Sequence, residues 1–414
     1  MIQQFKSIQD IETFFNQISF KKRDFPALSM MYKALELLNN PERNLKYIHV
    51  AGTNGKGSTC TYIAEIMSNH SLNVGLFISP HIHTINERIS INDCLISNED
   101  FIGIFNKLYN KLANNCSLIQ FEWLTLIAFE YFSQQKVDIV VLETGIGGLF
   151  DSTNVIDAKE AVVVTNIDYD HVEMLGPTLI DIAKQKLGIV TENTKGLFVG
   201  SIHQQNILPI FKQVSSEKNV PMFQYGIDFN VKDFIKLSPN FAKYQFENIP
   251  LAIATAKFVL NNTFGTSLDL KLVEKIINNR TLPLRFEKFI YLGKNLILDG
   301  AHNIAGINYL LDSLKGSVQQ QKFEFLFCAM ADKNYFEMIE LLEDFGGAVN
   351  IFDYRQIYER ALDIETISNQ HVIKTAHEFN NFVAKSKSDT IIVVVGSIYF
   401  VSYIREIVIN GGQF

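Results

Sequence analysis

The chain has 414 residues, 47% hydrophobic and 20% charged, enough for a buried core and more than one ordinary core accommodates, so two domains are expected. Its 37 Lys and Arg against 44 Asp and Glu leave a net charge of -7, which gives no general attraction to phosphate backbones and excludes nucleic acid as the main partner. No apolar run reaches transmembrane length, the start MIQQFKSIQDIETFF lacks the order of a signal peptide, and the four cysteines show neither CxxC nor zinc-type spacing; a cytoplasmic protein with reduced thiols and no membrane partner is expected.

From about residue 45, short β-branched runs alternate with amphipathic stretches. YIHVA at 47–51 leads into apolar three-to-four spacing over 56–70, and VGLFIS at 74–79 precedes similar spacing over 98–113 and 121–135. VDIVVLE at 137–143 and AVVVTN at 161–166 are followed by a further helical stretch at 178–192. Such alternation predicts βα units around a mostly parallel sheet. A second series, NLILDG at 295–300, KFEFLFCAM at 322–330, VNIFDY at 349–354 and TIIVVVG at 390–396, predicts another unit of the same kind. The fold class is therefore α/β: a phosphate-loop domain with a mostly parallel sheet, then a smaller, Rossmann-like α/β domain. The polar segment NNRTLPLRFEK at 278–288, broken by Pro283, puts the boundary at 283/284.

The most informative stretch is HVAGTNGKGST at 49–59, which runs from a strand through a glycine-rich turn into a helix. Such a turn lets backbone N–H groups curl around an anion, with the helix dipole adding positive potential. Lys56 would supply a mobile cation for phosphate oxygens and Ser58 a hydroxyl for Mg²⁺. The strict Walker A pattern fails twice, at Val50 and Gly57, so the loop is a variant. A solvated lysine in a glycine-rich turn is the bland alternative. Glu143 closes a buried strand, where α/β sheets bind ligands, and Asp168, Asp170 and His171 follow the next one; taken alone, such a histidine is more often a cap or core residue.

These residues, with several further segments, resemble the folylpolyglutamate synthases, often bifunctional with dihydrofolate synthase in bacteria and part of the Mur ligase superfamily. The matching segments are GTNGKGS at 52–58, SPH and NERISIN within 79–92, FEWLT at 121–125, LETGIGG and DSTN within 142–154, DH with LGPT within 170–178, IAKQKLGI at 182–189, LILDGAHN at 296–303, MADK at 330–333 and VGSIYF at 395–400. They occur in order over nearly the whole chain. The resemblance implies that residues 1–283 form the ATP-binding central domain with an N-terminal pterin-binding segment, and 284–414 a C-terminal α/β domain. By resemblance, Gly55, Lys56, Gly57 and Ser58 bind ATP phosphates, while Ser58, Ser79, Glu143 and His171 hold or orient magnesium. Lys186 matches the lysine that is carbamylated in this superfamily. Asn248 matches an adenine-side asparagine, and Arg285 and Asp299 nucleotide contacts from the linker and second domain. Phe121, Glu122, Leu124, Thr125, Phe150, Asp151 and Ser152 match the pterin pocket, as does Asp24 in the N-terminal segment. Three features depart from the family: Leu149 replaces an arginine, Tyr244 replaces a histidine, and KKRDFPALSMM at 21–31 keeps only Asp24 and Leu28 of the usual pterin-binding segment.

The implied reaction is ATP-dependent amide ligation on dihydropteroate and reduced folates, with L-glutamate as the amine. Transfer of phosphate makes a carboxylate electrophilic as an acyl phosphate, and the amine then displaces phosphate. Lys56, Arg285 and Mg²⁺ would neutralise charge and position reactants, and no protein nucleophile is required. His302 of DGAHN is a candidate phosphate contact, with a satisfied loop histidine as the equal alternative. Another Mur-type amino-acid ligase, a nucleotide-driven ATPase or switch, and a kinase-like phosphotransferase are the competing readings. A monomer is expected.

Overall fold

The computed structural model describes residues 4–18, 28–202, 206–317, 322–367 and 370–411. The chain divides into two units, Met1–Lys236 with Glu247–Ile277, and Leu237–Phe246 with Asn278–Phe414. The position 283/284 falls inside the second unit, which also takes Leu237–Phe246 from the middle of the chain. That segment is tied by backbone N–H groups: Ser238 donates to Asn278 Oδ1 at 2.8 Å and Lys243 to Ser313 Oγ at 2.9 Å.

Among the described residues the first unit is built on an eight-stranded sheet. In chain order its strands are β1 (Tyr47–Ala51), β2 (Val74–Phe77), β3 (Ile89–Ile91), β4 (Cys94–Leu95), β5 (Ile139–Glu143), β6 (Ala161–Val164), β7 (Leu197–Val199) and β8 (Met222–Gln224). The spatial order is β4-β3-β2-β5-β1-β6-β7-β8, parallel from β2 to β8, with β3 and β4 as an antiparallel margin. β1 and β5 are buried at every residue, as expected where helices cover both faces of a parallel sheet. Because the chain leaves β1 for β2 and returns to β5 and then β6 on either side of β1, loops from three adjacent carboxyl ends converge. That is a topological switch point, where ligands bind in open α/β sheets.

Local signals explain the helices around it. Lys56–Ser68 starts at Gly55, whose φ of 82° suits an achiral residue. Leu179–Leu187 is capped by Thr178, whose Oγ1 accepts from the Asp181 backbone N–H at 3.2 Å while Asp181 accepts from Thr178, a reciprocal cap worth about 1 kcal/mol. The helix stops at Gly188, short of the 178–192 stretch predicted, because Ile189 and Val190 enter the core from a loop. Near the N-terminus Phe5, Phe14 and Phe15 pack with Phe105, Tyr109 and the sole tryptophan, Trp123, at ring distances of 4.9–6.2 Å.

The second unit has six strands among the described residues: β9 (Glu287–Tyr291), β10 (Lys294–Leu298), β11 (Lys322–Phe327), β12 (Ala348–Phe352), β13 (His371–Ile373) and β14 (Thr390–Val395). Their order is β13-β12-β11-β14-β10-β9, parallel except for the hairpin partner β9. Both units are thus α/β with mostly parallel sheets. No helix among the described residues is long and apolar enough to cross a membrane.

Candidate active site

The site begins where β1 ends. Gly52, at φ 150°, lies so close to β6 that an added Cβ would sit 1.8 Å from Thr165 Oγ1. At Gly55 a Cβ would lie 2.4 Å from Asn248 Oδ1, and its φ of 82° penalises any L side chain, so the loop needs glycine at both positions. The residues just past β6 hold the turn. Asn166 Oδ1 accepts from the backbone N–H groups of Thr53 (3.1 Å) and Asn54 (2.9 Å), and Thr165 Oγ1 donates to the Asn54 carbonyl at 2.6 Å. Thr53 Oγ1 donates to the Asp168 carbonyl and accepts its N–H, both at 3.0 Å. From sequence alone, Thr165 and Asn166 read as the end of a strand. Two small polar residues directly after an apolar run were the available signal.

Two lysines converge on this loop. Lys56 Nζ donates to the carbonyls of Gly52 (3.1 Å) and Thr53 (3.2 Å), and Lys186 Nζ donates to the same Gly52 oxygen at 2.8 Å. Lys186 is buried, and burial first, then the nearby Lys56 charge, pushes its amine well below the usual lysine range against the opposing pull of Asp170 and Asp151. Lys184, two residues earlier on the same helix, is exposed.

Sheet register places Glu143 opposite Val50 on β1, beside the loop. A Cβ on Gly57 would come within 3.5 Å of Glu143 Oε2, and that oxygen accepts from the Ser79 N–H at 2.7 Å. Ser58 Oγ is buried with no hydrogen-bond partner among the described residues, an arrangement costly to leave unmatched. A hydroxyl and a carboxylate flanking a phosphate loop fit Mg²⁺, which takes hard oxygen donors and fills most of its shell with phosphate and water. Among the described residues no three His, Cys, Asp or Glu side chains gather as a preformed cage. His171 stands past β6 in the left-handed region at φ 49°, with Nε2 3.8 Å from Asp170 Oδ2.

The remaining predicted contacts divide. Phe121 packs 5.7 Å from Phe77 and against Gly145, and Phe150 is exposed, so both present ring surface. Leu124 and Thr125 are core residues, Thr125 bonding back to the Phe121 carbonyl at 2.8 Å. Glu122 caps its own helix through the Ile119 N–H at 2.7 Å, and Ser152 is buried. Asp151 organises the loop between β5 and β6: Oδ2 accepts from Gly145 (2.9 Å) and Ile146 (3.0 Å), and Oδ1 from the Thr153 N–H (3.0 Å) and hydroxyl (2.6 Å). Thr153 Oγ1 lies 2.8 Å from His49 Nε2 on β1, which links this loop to the strand carrying the phosphate turn. Asp24 lies outside the described residues.

In the second unit Asp299 is fully buried. Its Oδ2 accepts from the Tyr244 hydroxyl at 2.7 Å and the Phe286 N–H at 2.9 Å, and Oδ1 from the Ala301 N–H at 2.9 Å. Burial raises its carboxyl above the usual range, opposed by these hydrogen bonds and by the Arg285 charge. Tyr244, the departure from the family's histidine, thus serves as a carboxylate donor. Arg285 NH1 donates to the Leu284 carbonyl at 3.2 Å and would meet a Cβ on Gly300 at 2.6 Å. His302 Nδ1 lies 2.9 Å from the Gly300 carbonyl.

The Mur ligase middle domain family matches residues 50–264. The chain is 31% identical to a dihydrofolate synthase/folylpolyglutamate synthase of Bacillus subtilis, over 92% of this chain and 94% of that protein. It is 30% identical to a folylpolyglutamate synthase of Lacticaseibacillus casei, over 91% and 93% respectively. The fold superposes on E. coli FolC, solved in complex with DHPP and ADP, with a TM-score of 0.86 at 22% identity, covering 99% of this chain and 100% of that one.

Proposed function

The chain belongs to the Mur ligase family, among its dihydrofolate synthases/folylpolyglutamate synthases, and on that basis we infer that it is an ATP-dependent ligase joining L-glutamate to 7,8-dihydropteroate and to reduced folates. One observation carries the reading beyond fold: Lys56 and Lys186 converge on Gly52 of a glycine-rich loop flanked by Glu143 and by the Ser58 hydroxyl, which has no partner among the described residues. This concentration of cation-forming groups and hard oxygen donors suits a nucleotide triphosphate with a divalent ion.

The substrate carboxylate takes the γ-phosphoryl group of ATP to give an acyl phosphate and ADP. The glutamate amine attacks the acyl carbon, the tetrahedral adduct expels phosphate, and the nitrogen loses its proton to give the amide. The chain binds and orients these anions: Gly55, Lys56, Gly57 and Ser58 grip the phosphates at a helix N-terminus, and Asn248 and Arg285 with Asp299 fix the nucleotide. Ser58, Ser79, Glu143 and His171 would hold or orient magnesium, which would supply charge neutralisation. His302 is a phosphate contact. Phe121 and Phe150 offer aromatic surface to the pterin, with Glu122, Leu124, Thr125, Asp151 and Ser152 shaping the wall behind them and Asp24 contributing from the N-terminal segment.

Lys186 is carbamylated. Burial and the Lys56 charge disfavour its ammonium form; the free amine adds CO₂ and releases a proton, and the resulting carbamate anion is attracted by Lys56 where an ammonium would be repelled. Met1–Lys236 with Glu247–Ile277 supply the ATP-binding and pterin-binding part, and Leu237–Phe246 with Asn278–Phe414 the second α/β part. The protein is proposed to act as a monomer, and in the cytoplasm, where its four free cysteines stay reduced.

The test is direct: ATP and glutamate are supplied with either dihydropteroate or tetrahydrofolate, and the product is identified by mass. A glutamyl adduct of each acceptor, with phosphate release dependent on glutamate, is expected. Phosphate release indifferent to glutamate would make the protein an ATPase instead.

A further inference from the structure

Arg285 is flanked by two bulky residues in the left-handed region, Leu284 at φ 57° and Phe286 at φ 56°. Both are buried. L side chains avoid that region, and a chain that only had to turn would use glycine, so strain at both neighbours of one arginine persists because the surroundings over-determine it. The restraints are visible. The Leu284 N–H donates to Glu287 Oε2 at 3.0 Å, the Leu284 carbonyl accepts from the Gly300 N–H at 2.8 Å, and the Phe286 N–H donates to Asp299 Oδ2 at 2.9 Å. Glu287 is in turn gripped by Arg405 from the helix Ile398–Ile409: Nε reaches Oε1 at 3.1 Å and Oε2 at 2.8 Å, and NH2 reaches Oε1 at 2.9 Å. The pair is largely buried, with side-chain exposures of 18% for Arg405 and 8% for Glu287.

A planar guanidinium meeting both oxygens fixes the plane of the carboxylate, which a single ammonium does not. That plane decides whether Oε2 faces the Leu284 N–H. We propose that Glu287 and Arg405 form a positioning pair that holds the strained turn and thereby fixes the backbone from which Arg285 projects. The proposal rests on the reading of Arg285 as a nucleotide contact. It assigns Arg405 no contact with substrate: Arg405 acts through Glu287 on the backbone of residue 284, and so on the direction of the next side chain. Asp299 restrains the other side of the same arginine, so the turn is clamped from two directions.

The experiment is a double-mutant cycle on the full chain with Arg285→Ala, Arg405→Lys and the combined variant, measuring kcat, KM for ATP, KM for glutamate and Tm. Arg405→Lys keeps the charge and loses the fork. It is expected to lower kcat/KM for ATP by about tenfold or more, in the same parameter that Arg285→Ala affects, with KM for glutamate unchanged. The combined variant should be no worse than Arg285→Ala alone, because an arginine that is absent cannot be misdirected. Arg405→Met, if it folds, should match or exceed the loss in Arg405→Lys. If it does not fold, the lysine variant carries the cycle. Losses that multiply in the combined variant, or a lowered Tm with wild-type kcat and KM for ATP in Arg405→Lys, would reduce the pair to a structural ion pair and overturn the proposal. Wild-type kinetics in Arg285→Ala would overturn the nucleotide reading of Arg285 and the proposal with it, a result distinct from failure of the pair alone.

Discussion

Lys186 shows how far burial changes the meaning of a residue. Its charged form is disfavoured by lost solvation and by Lys56, which favours the free amine that the proposed carbamylation requires. Lys186→Ala should lower turnover by about a hundredfold, with partial rescue by a short carboxylic acid in solution, and removal of CO₂ and bicarbonate should reversibly lower wild-type activity. Lys184→Ala, on the exposed face, should be nearly silent. Full activity of Lys186→Ala without added acid would remove the carbamate from the mechanism. His81 offers a second test. Arg88 Nε donates to its Nδ1 at 2.9 Å, which requires that nitrogen to be unprotonated, and burial followed by the Arg88 charge lowers its pKa from 6.5 to about 4. Between those values the unfolded chain holds the extra proton, so stability falls as pH drops through the window. His81→Asn should therefore lose less stability than the wild type between pH 6.5 and 4.5 in urea titrations. Parallel losses would clear His81 of a role in acid sensitivity.

The helix Lys56–Ser68 and the strands β1, β5 and β6 frame the proposed phosphate site, where substitutions are expected to separate catalysis from stability. Ser58 Oγ is buried with no partner among the described residues, so Ser58→Ala removes no hydrogen bond, relieves an unmatched hydroxyl and should leave stability unchanged or raise it by about 1 kcal/mol. Turnover should nevertheless fall at least about tenfold, with a raised requirement for Mg²⁺. Glu143→Gln and His171→Ala should likewise impair turnover far more than folding, as circular dichroism and steady-state rates would reveal. Near-normal turnover for any of the three at saturating Mg²⁺ would take that residue out of the site. The loop between β5 and β6 behaves differently. Asp151 accepts four hydrogen bonds there, and Asp151→Ala should destabilise the protein as well as inactivate it, by about 2 kcal/mol or more, because buried donors lose their acceptor. A wild-type Tm in that variant would argue against this organising role.

The chain as a unit of folding can be followed through Trp123, its sole tryptophan, which is buried among Phe14, Phe105 and Tyr109 in the first unit. Its fluorescence reports the unit that holds the phosphate loop, whereas far-ultraviolet circular dichroism reports both. ADP with Mg²⁺ at about a hundred times its Kd should stabilise the tryptophan-monitored transition by about 2.7 kcal/mol. A midpoint indifferent to nucleotide would place ATP binding elsewhere.

Hydrophobic periodicity and glycine placement were enough to read the two α/β units, the strand–loop–helix at 47–68 and the strand-end carboxylate Glu143, because these features depend on neighbours close in sequence or on the burial pattern of a single strand. The motifs extended this to family and reaction. Long-range contacts were invisible to that reading: Thr165 and Asn166 clasping a turn more than a hundred residues earlier, Lys186 meeting the Gly52 carbonyl, and Leu237–Phe246 joining the second unit. Leu284, Phe286 and Arg405 carried no local signal at all, since leucine and phenylalanine do not advertise a left-handed backbone and an arginine late in an apolar helix reads as a surface charge. Periodicity records which face of an element is buried; it does not record what that face meets. The partner of each buried polar group is chosen when the sheets assemble, and here that choice determines which lysine has its charged form disfavoured and which arginine sits between two restrained neighbours.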